Sequence, residues 1–275
     1  MIFRTTAQDV LDLFNVTSPT EVVLQRWLDD PAKKDTVVPH VLAHQTSTIY
    51  RLTPEDVERV CMSTEHALGE VKRATAESVK AIVDWHPDFA FTHTFHLAVE
   101  SLEMLPTWQQ FRAFVHDDPR GNEMLWRPAQ DKITQVSSTL GGPSRTVVTA
   151  SMRWRVGNAY YSFLREIFVV VHLRNAGLDV RMHPLADALF RVDFWCGRTV
   201  CSLLVKNAKF HKDGQGRKIP TSELLAGAVP PFHFHPIQLA RASRFGVVHL
   251  PSPEQVRGAA RTLGAALHAS AAGGR

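Results

Sequence analysis

The chain has 275 residues, of which 44% are hydrophobic and 21% are charged. This balance excludes a disordered or collagen-like chain and allows a sizeable core in one or two domains. No apolar run approaches the roughly 20 residues that a membrane-spanning helix needs, and Met1 to Asn15 is too polar and acidic for a secretory leader. We therefore expect a cytoplasmic protein without membrane contact. Cys61, Cys196 and Cys201 lack CxxC spacing, which favours small core residues over a disulfide scaffold or a structural zinc site.

Helical periodicity and capping signals dominate the first half of the chain. Ser18 is expected to be an N-cap, with Pro19 in the first helical position and Glu21 completing a capping box. Thr53 begins a similar signal, so a second capped helix is expected there. The other predicted helices are Ala7 to Phe14, Phe95 to Leu105 and Trp108 to Val115, and the helix after Thr53 is expected to resume past Gly69 as far as Trp85.

The helical periodicity of the sequence ends at Ser137 to Ser144, SSTLGGPS, which predicts a domain boundary. We expect a helical domain of unknown role at 1–140 and a second domain at 150–275. In the second domain Arg153 to Ala176 is predicted as one long helix ended by Gly177. Further elements are expected as strands at Leu178 to His183, Leu189 to Cys196, Thr199 to Lys206 and Phe245 to Leu250, a helix or turn at Pro220 to Gly227, and a C-terminal helix capped at Ser252. This order predicts an α/β fold with a mixed sheet.

Two predicted strands, joined by a turn at Gly197, carry the main candidates for chemistry. The first strand, Leu189 to Cys196, contains Asp193, and the second ends at Lys206. Alternation along a hairpin lets both charged side chains project from one surface. The structural alternative is a cross-strand ion pair with no catalytic role.

A third candidate, Glu166, lies in the long predicted helix among apolar residues. Phe163, Val169 and Val170 are its neighbours three and four positions away. A buried carboxylate is costly unless it is paired or binds a metal. Glu166 is therefore either a functional group or the structural partner of an arginine on an adjacent element.

Positive charge is concentrated around this hairpin. Ser151 to Pro220 holds 12 Lys or Arg against 5 Asp or Glu, in a chain whose net charge is only +4. A local surplus of this kind favours a polyanion such as nucleic acid. The candidates for binding the phosphate backbone of a nucleic acid are Lys209, Lys212, Arg217 and Lys218. A solvated, arginine-rich surface with a flexible loop is the alternative.

The order of these features, a helix bearing an acid, a strand containing R-x-D, a turn and a strand ending in V-K-N, resembles the PD-(D/E)XK nuclease superfamily. The resemblance covers Arg153 to Phe210. It implies a restriction endonuclease-like domain with a mixed central sheet and a site for Mg²⁺ or Mn²⁺. Asp193 matches the first metal-binding acid, Lys206 the lysine that positions or activates water, and Glu166 the helical acid that often assists. The implied activity is metal-dependent hydrolysis of nucleic-acid phosphodiester bonds, with DNA favoured over RNA and a role in defence or mobile-element processing.

One position departs from the family pattern. Leu204 stands two residues before Lys206, where the family has Glu, Asp or Gln. Because a leucine side chain cannot coordinate a metal, the alternative is a noncatalytic nucleic-acid-binding or assembly protein, or a subunit that acts only within a larger complex. The first half of the chain is the candidate surface for a protein partner. Cutting both strands with one site per chain usually needs a pair of sites, which leaves a homodimer open.

Two histidine pairs are candidates for a different metal. His93 and His96 are three residues apart in a predicted helix, and His233 and His235 are two apart in an extended segment. Either pair suits zinc by its spacing, but zinc needs three or four ligands and neither pair has a third nearby in sequence. Packed or surface histidines are therefore the favoured interpretation. No phosphate-binding loop ending in Lys and Ser or Thr and no GxSxG element is found in the sequence, which argues against motor and serine hydrolase activities.

Overall fold

Helices dominate the part of the chain that the computed structural model describes, residues 3–205, 220–240 and 243–273, and three small sheets complete it. The helices are α1 (Ala7–Phe14), α2 (Ser18–Leu28), α3 (Val37–Ala43), α4 (Pro54–Ser63), α5 (Arg73–Ser78), α6 (Lys80–Val83), α7 (Phe91–Leu102), α8 (Trp108–Asp117), α9 (Pro119–Gly121), α10 (Arg127–Ser137), α11 (Arg145–Asn175), α12 (Thr221–Leu224) and α13 (Pro253–Gly273). The strands are β1 (Thr5–Thr6), β2 (Gln45–Thr46), β3 (Phe194–Cys196), β4 (Thr199–Val205), β5 (His233–Leu239), β6 (Ser243–Phe245) and β7 (Val248–Leu250). The prediction of a mixed α/β protein is confirmed at this level.

Threonine side chains cap α1, α2, α4 and α8 in the first half of the chain. Thr53 caps α4 as predicted, with Asp56 completing the capping box. The prediction for α2 is wrong by one residue, because Thr17 rather than Ser18 is the N-cap and its partner is Thr20. The two threonines exchange backbone and side-chain hydrogen bonds at 3.0 and 3.3 Å, so the cap needs no contribution from Glu21.

The long helix α11 organises the core. It begins at Arg145, eight residues before its predicted start, because Ser144 caps it by accepting a hydrogen bond from the Val147 backbone N–H. The predicted break at 137–144 does separate α10 from α11. Val148 and Met152, in the part of the helix that periodicity missed, are buried. Along its length α11 packs against helices of the first half as well as against α13.

The central sheet has the order β3-β4-β5, with β3 antiparallel and β5 parallel to β4. The predicted strand at Leu189 to Cys196 is wrong in its first half, where Ala186–Phe190 forms a π-helical turn. Arg191 ends that turn in the left-handed conformation at φ 57°. Leu189 and Phe190 pack inward from this turn. An alternation of apolar residues in the sequence does not by itself distinguish such a turn from a strand. Before the turn, the predicted strand at Leu178 to His183 is reduced to one bridge, between Arg181 and Trp195.

The central sheet separates two hydrophobic clusters. Phe194 and Cys201 belong to the larger cluster, which is built around α11. Trp195 and Val200, on the opposite face, belong to a smaller cluster together with Phe14 of α1. Residues from before and after the 137–144 break share both clusters, and a domain boundary at that break stays a prediction.

The last predicted strand is in fact a hairpin. Phe245 to Leu250 is interrupted by a turn at Gly246, whose φ of 55° suits glycine, and β6 pairs with β7 across it. The C-terminal helix is capped by Ser252 as predicted. The three cysteines are unpaired and buried, as expected. Within the described ranges, no helix is both long enough and apolar enough to cross a bilayer.

Candidate active site

Glu166 lies in the most deeply buried part of α11. Its neighbours Phe163, Val169 and Val170 are at most 4% exposed, as the apolar sequence context indicated. Burial raises the pKa of the Glu166 carboxyl well above its ordinary value, and the nearby charges of Asp193 and Asp187 raise it further. Among the described residues, the charges that act on Glu166 are thus carboxylates rather than the arginine that a structural ion pair would supply. A partly buried carboxyl that lies beside other acids favours binding of a proton or a cation.

Asp193 lies in the short link between the turn at Arg191 and strand β3. Its flanking residues Val192 and Phe194 are fully buried. Its Oδ2 accepts a 2.7 Å hydrogen bond from the backbone N–H of Leu203 in β4. Burial raises the pKa of Asp193 to about 6; the Leu203 hydrogen bond opposes this change and the charge of Asp187 adds to it. The structure therefore brings together two of the sequence-predicted acids, Glu166 and Asp193.

Asp187 is a third acid of this site that the sequence analysis did not select. It lies in the turn Ala186–Phe190, and its charge raises the pKa of both Glu166 and Asp193. A usable signal was present, because Asp187 is surrounded in sequence by the apolar residues Leu185 and Leu189, the same argument that selected Glu166.

Leu204 occupies the position where the family pattern has an acid or amide. It lies in β4 next to the Leu203 amide that holds Asp193, and its side chain is 49% exposed. Val205 ends the strand, and Lys206 follows it directly in the chain. The remaining basic candidates, Lys209, Lys212, Arg217 and Lys218, lie with Lys206 outside the described residues.

The carboxylates suit a magnesium-type ion by their chemistry. In residues 3–205, 220–240 and 243–273, no three or more His, Cys, Asp or Glu side chains are grouped so as to hold a metal ion. Mg²⁺ commonly takes only one or two protein carboxylates and completes its shell with waters and phosphate oxygens. Glu166 and Asp193, whose pKa values are raised by burial and by neighbouring carboxylates, fit that pattern.

Within the part of the chain that the structure describes, a patch of the central sheet is exposed on the face turned away from α11. Two residues that follow Val200 in β4 pair with β5: Ser202 with Pro236, and Leu204 with Gln238. Leu204, Pro236 and Gln238 are exposed and Ser202 is partly so, whereas Val200 on the same face is buried under the N-terminal helices. We call Ser202, Leu204, Pro236 and Gln238 the open face. It adjoins the strand end from which Lys206 continues.

Several arginines of the basic stretch are engaged by their own chain. The Arg174 and Arg181 guanidinium groups lie 4.5 and 4.6 Å from the centre of the Phe3 ring. Arg198 lies 4.0 Å from the centre of the Phe232 ring and donates a hydrogen bond to the carbonyl of Pro230. These contacts assign a structural role to part of the predicted positive surplus.

The histidine pair His93 and His96 is buried and has partners that the sequence did not indicate. His44 contacts both rings at centroid distances of 5.5 and 5.6 Å, and contacts His183 at 5.2 Å. His183 accepts a hydrogen bond from the Leu185 backbone N–H and its other ring nitrogen lies 3.1 Å from the His44 carbonyl, which fixes a neutral ring. This histidine cluster packs as neutral rings, in keeping with the favoured interpretation.

Comparison of the chain with protein-family models, with curated proteins and with solved structures finds no match.

Proposed function

We propose that this protein is a metal-dependent nuclease of the PD-(D/E)XK type, in which Glu166 and Asp193 hold the metal ion. The observation that carries the proposal is the pairing of two partly buried carboxylates with raised pKa values, Glu166 on α11 and Asp193 beside the strand that leads to Lys206. Two such acids are unfavourable in the folded state unless a proton or cation offsets their charge. Perturbed acids of this kind are typical of functional sites.

The chain's own residues would divide the work as follows. A divalent ion such as Mg²⁺ or Mn²⁺ supplies charge stabilisation at the phosphate and lowers the pKa of water. Asp193 is oriented for this by the Leu203 amide, and Glu166 approaches from α11. Lys206 would stabilise negative charge that develops on the phosphate. Lys209, Lys212, Arg217 and Lys218 would contact the nucleic-acid backbone without base recognition.

The open face supports an extended polyanion as the substrate. It consists of wholly or partly exposed side chains on both sides of Leu203, whose amide bonds Asp193, with no acidic residue among Ser202, Leu204, Pro236 and Gln238. Basic residues follow at 206–218 in the sequence. A duplex or single strand lying across this face would bring a phosphate to Asp193 while the basic residues neutralise its neighbours.

Cleavage assays test the proposal directly. Purified protein is incubated with supercoiled plasmid, linear duplex and single strands in Mg²⁺, Mn²⁺ or EDTA, beside Asp193→Asn, Glu166→Gln and Lys206→Ala. We expect metal-dependent cleavage that each substitution abolishes, with nucleic-acid binding largely retained in Asp193→Asn. Exposed Asp131→Asn on α10 is the matched control and retains cleavage. Cleavage that survives Asp193→Asn would refute the assignment.

A noncatalytic nucleic-acid-binding protein is the second candidate, and Leu204 is the observation that favours it. The side chain at that position offers no metal ligand, and it is exposed rather than packed. Salt-dependent binding of DNA without cleavage in any metal would support this candidate over the enzyme. DNA and RNA of the same sequence, compared in that binding assay, would decide between the two nucleic acids.

A further inference from the structure

An apolar cavity of about 260 Å³ lies among α8, the turn Asn122–Trp126, α10 and α11. Phe111, Leu125, Ile133 and Met152 form part of its wall. An apolar cavity of roughly 150 Å³ is already enough to bind benzene. Because protein interiors normally pack with few voids larger than a water molecule, an opening of this size has room for a ligand longer than one ring.

The polar part of the lining is positive. Arg112 lies one helical turn after Trp108 on α8 and is exposed, and Arg153 reaches the cavity from α11. Arg153 also donates to the carbonyl oxygens of His66 and Ala67 at 2.8 and 3.3 Å, which holds its guanidinium in place. Within the described part of the chain, the lining of this cavity contains no Asp or Glu.

We propose that this cavity binds an amphipathic monocarboxylate, with its hydrocarbon chain among the apolar walls and its carboxylate beside Arg112 and Arg153. Apolar walls with a few polar groups are the usual makeup of a small-molecule site. The guanidinium groups select an anion. The site is separate from the acid pair, so it stands or falls independently of the proposed nuclease activity.

Decanoate and its neutral analogue 1-decanol are the probes. Each is titrated into the full chain and followed by calorimetry and by the fluorescence of Trp108 and Trp126, which both line the cavity. We expect saturable binding of decanoate, about tenfold tighter than that of decanol. Absence of saturable decanoate binding, or equal affinity for decanol, would overturn the proposal.

Matched variants locate the binding. Arg112→Gln is expected to weaken decanoate binding about tenfold, whereas Arg127→Gln, at an exposed arginine of α10 outside the lining, leaves it unchanged. Ala129→Phe, which fills the cavity, is expected to abolish binding while circular dichroism reports the fold. Because Arg112 is exposed, its substitution tests the proposal even if Ala129→Phe does not fold. Equal affinities of Arg112→Gln and Arg127→Gln would place the ligand elsewhere and reject the site.

Discussion

The backbone N–H of Leu203 donates a 2.7 Å hydrogen bond to Oδ2 of Asp193 and so joins the acid before β3 to the strand that continues to Lys206. This bond favours the ionised carboxylate, whereas burial and the charge of Asp187 oppose ionisation. The balance leaves the pKa of Asp193 raised to about 6, so the group is mostly ionised at neutral pH but easily protonated. A carboxylate in this state exchanges a proton for a cation readily.

Replacing Asp193 with Asn is expected to remove the proposed activity and to stabilise the fold. The ionised side chain opposes folding at neutral pH, since burial raises its pKa from 3.8 to about 6. Asn keeps the shape and an acceptor for the Leu203 N–H without the charge. We expect the free energy of unfolding in urea to rise by about 1–2 kcal/mol at neutral pH.

The pH dependence of that gain checks its cause. The folded state takes up a proton on Asp193 near pH 6 and the unfolded state only near pH 3.8. The destabilisation by Asp193 is therefore full above the folded pKa, falls as the pH drops from about 6 towards 3.8, and is absent below that. Exposed Asp131→Asn should change neither the free energy of unfolding at neutral pH nor its dependence on pH. A gain that is constant with pH would mean that the charge of Asp193 is not responsible.

Restoring an acid at Leu204 is expected to strengthen metal binding. Leu204 is 49% exposed, so Glu replaces it without burying a charge. The new carboxylate would stand two residues before Lys206 and next to Leu203, whose amide bonds Asp193, and would add a ligand to the proposed metal site. We expect Leu204→Glu to increase the stabilisation that Mg²⁺ gives in thermal unfolding. An ion present at about 100 times its Kd stabilises the folded state by about 2.7 kcal/mol in total.

The neutral variant Leu204→Gln separates charge from shape in the same measurement. It should respond to Mg²⁺ less than Leu204→Glu does, because an amide is a weaker ligand for this ion than a carboxylate. An identical response of Leu204→Glu and the unchanged protein would show that position 204 does not face the metal.

Acid is expected to destabilise the protein through the histidine cluster. Burial lowers the pKa of His93 to about 3 and of His183 to about 4, and lowers those of His44 and His96 well below the ordinary value of 6.5. Neighbouring charges modify this only in part, since Asp9 raises the pKa of His183 and His40 lowers that of His93.

The sign follows from proton uptake. Below about pH 6.5 the unfolded chain binds protons on these histidines while the folded chain does not, so stability is complete above that pH and falls as the pH drops. Each buried histidine contributes about 1.4 kcal/mol per pH unit in the window between its two pKa values. Urea unfolding between neutral pH and the folded pKa of His183 measures the slope. His93→Gln should reduce it by about one proton, and exposed His233→Gln should not. Equal slopes in the two variants would contradict this origin.

Two glycine-to-alanine substitutions in helices are expected to act in opposite directions. A β-carbon at Gly157 in α11 would lie 2.7 Å from the backbone carbon and oxygen of Ala67, so the segment carrying Ala67 would have to move. We expect Gly157→Ala to cost about 1–3 kcal/mol of stability. At Gly264 in α13 the nearest atom is a Leu178 methyl at 3.9 Å. Gly264→Ala should therefore gain up to about 1 kcal/mol from helix propensity. Thermal unfolding of both variants checks the pair, and stabilisation by both would contradict the close approach of α11 to Ala67.

Local chemistry written in the sequence determined much of the secondary structure. The cap at Thr53, the cap at Ser252 and the turn at Gly197 depend only on neighbouring residues, and all three were predicted correctly. The acid on the long helix was also identified from its apolar neighbours alone. Such features need no distant partner, so periodicity and side-chain type are sufficient to find them.

Tertiary contacts decided the rest. The alternation of Phe190, Val192 and Phe194 suited a strand, but Phe190 packs against Phe14 at a ring distance of 5.8 Å and the chain turns at Arg191 instead. The proximity of Asp187 to the acid pair depends on that turn. The sequence by itself therefore determined which acids and helices the protein has, whereas packing between residues far apart in the chain decided which of those acids meet, because burial and charge proximity are properties of the assembled core.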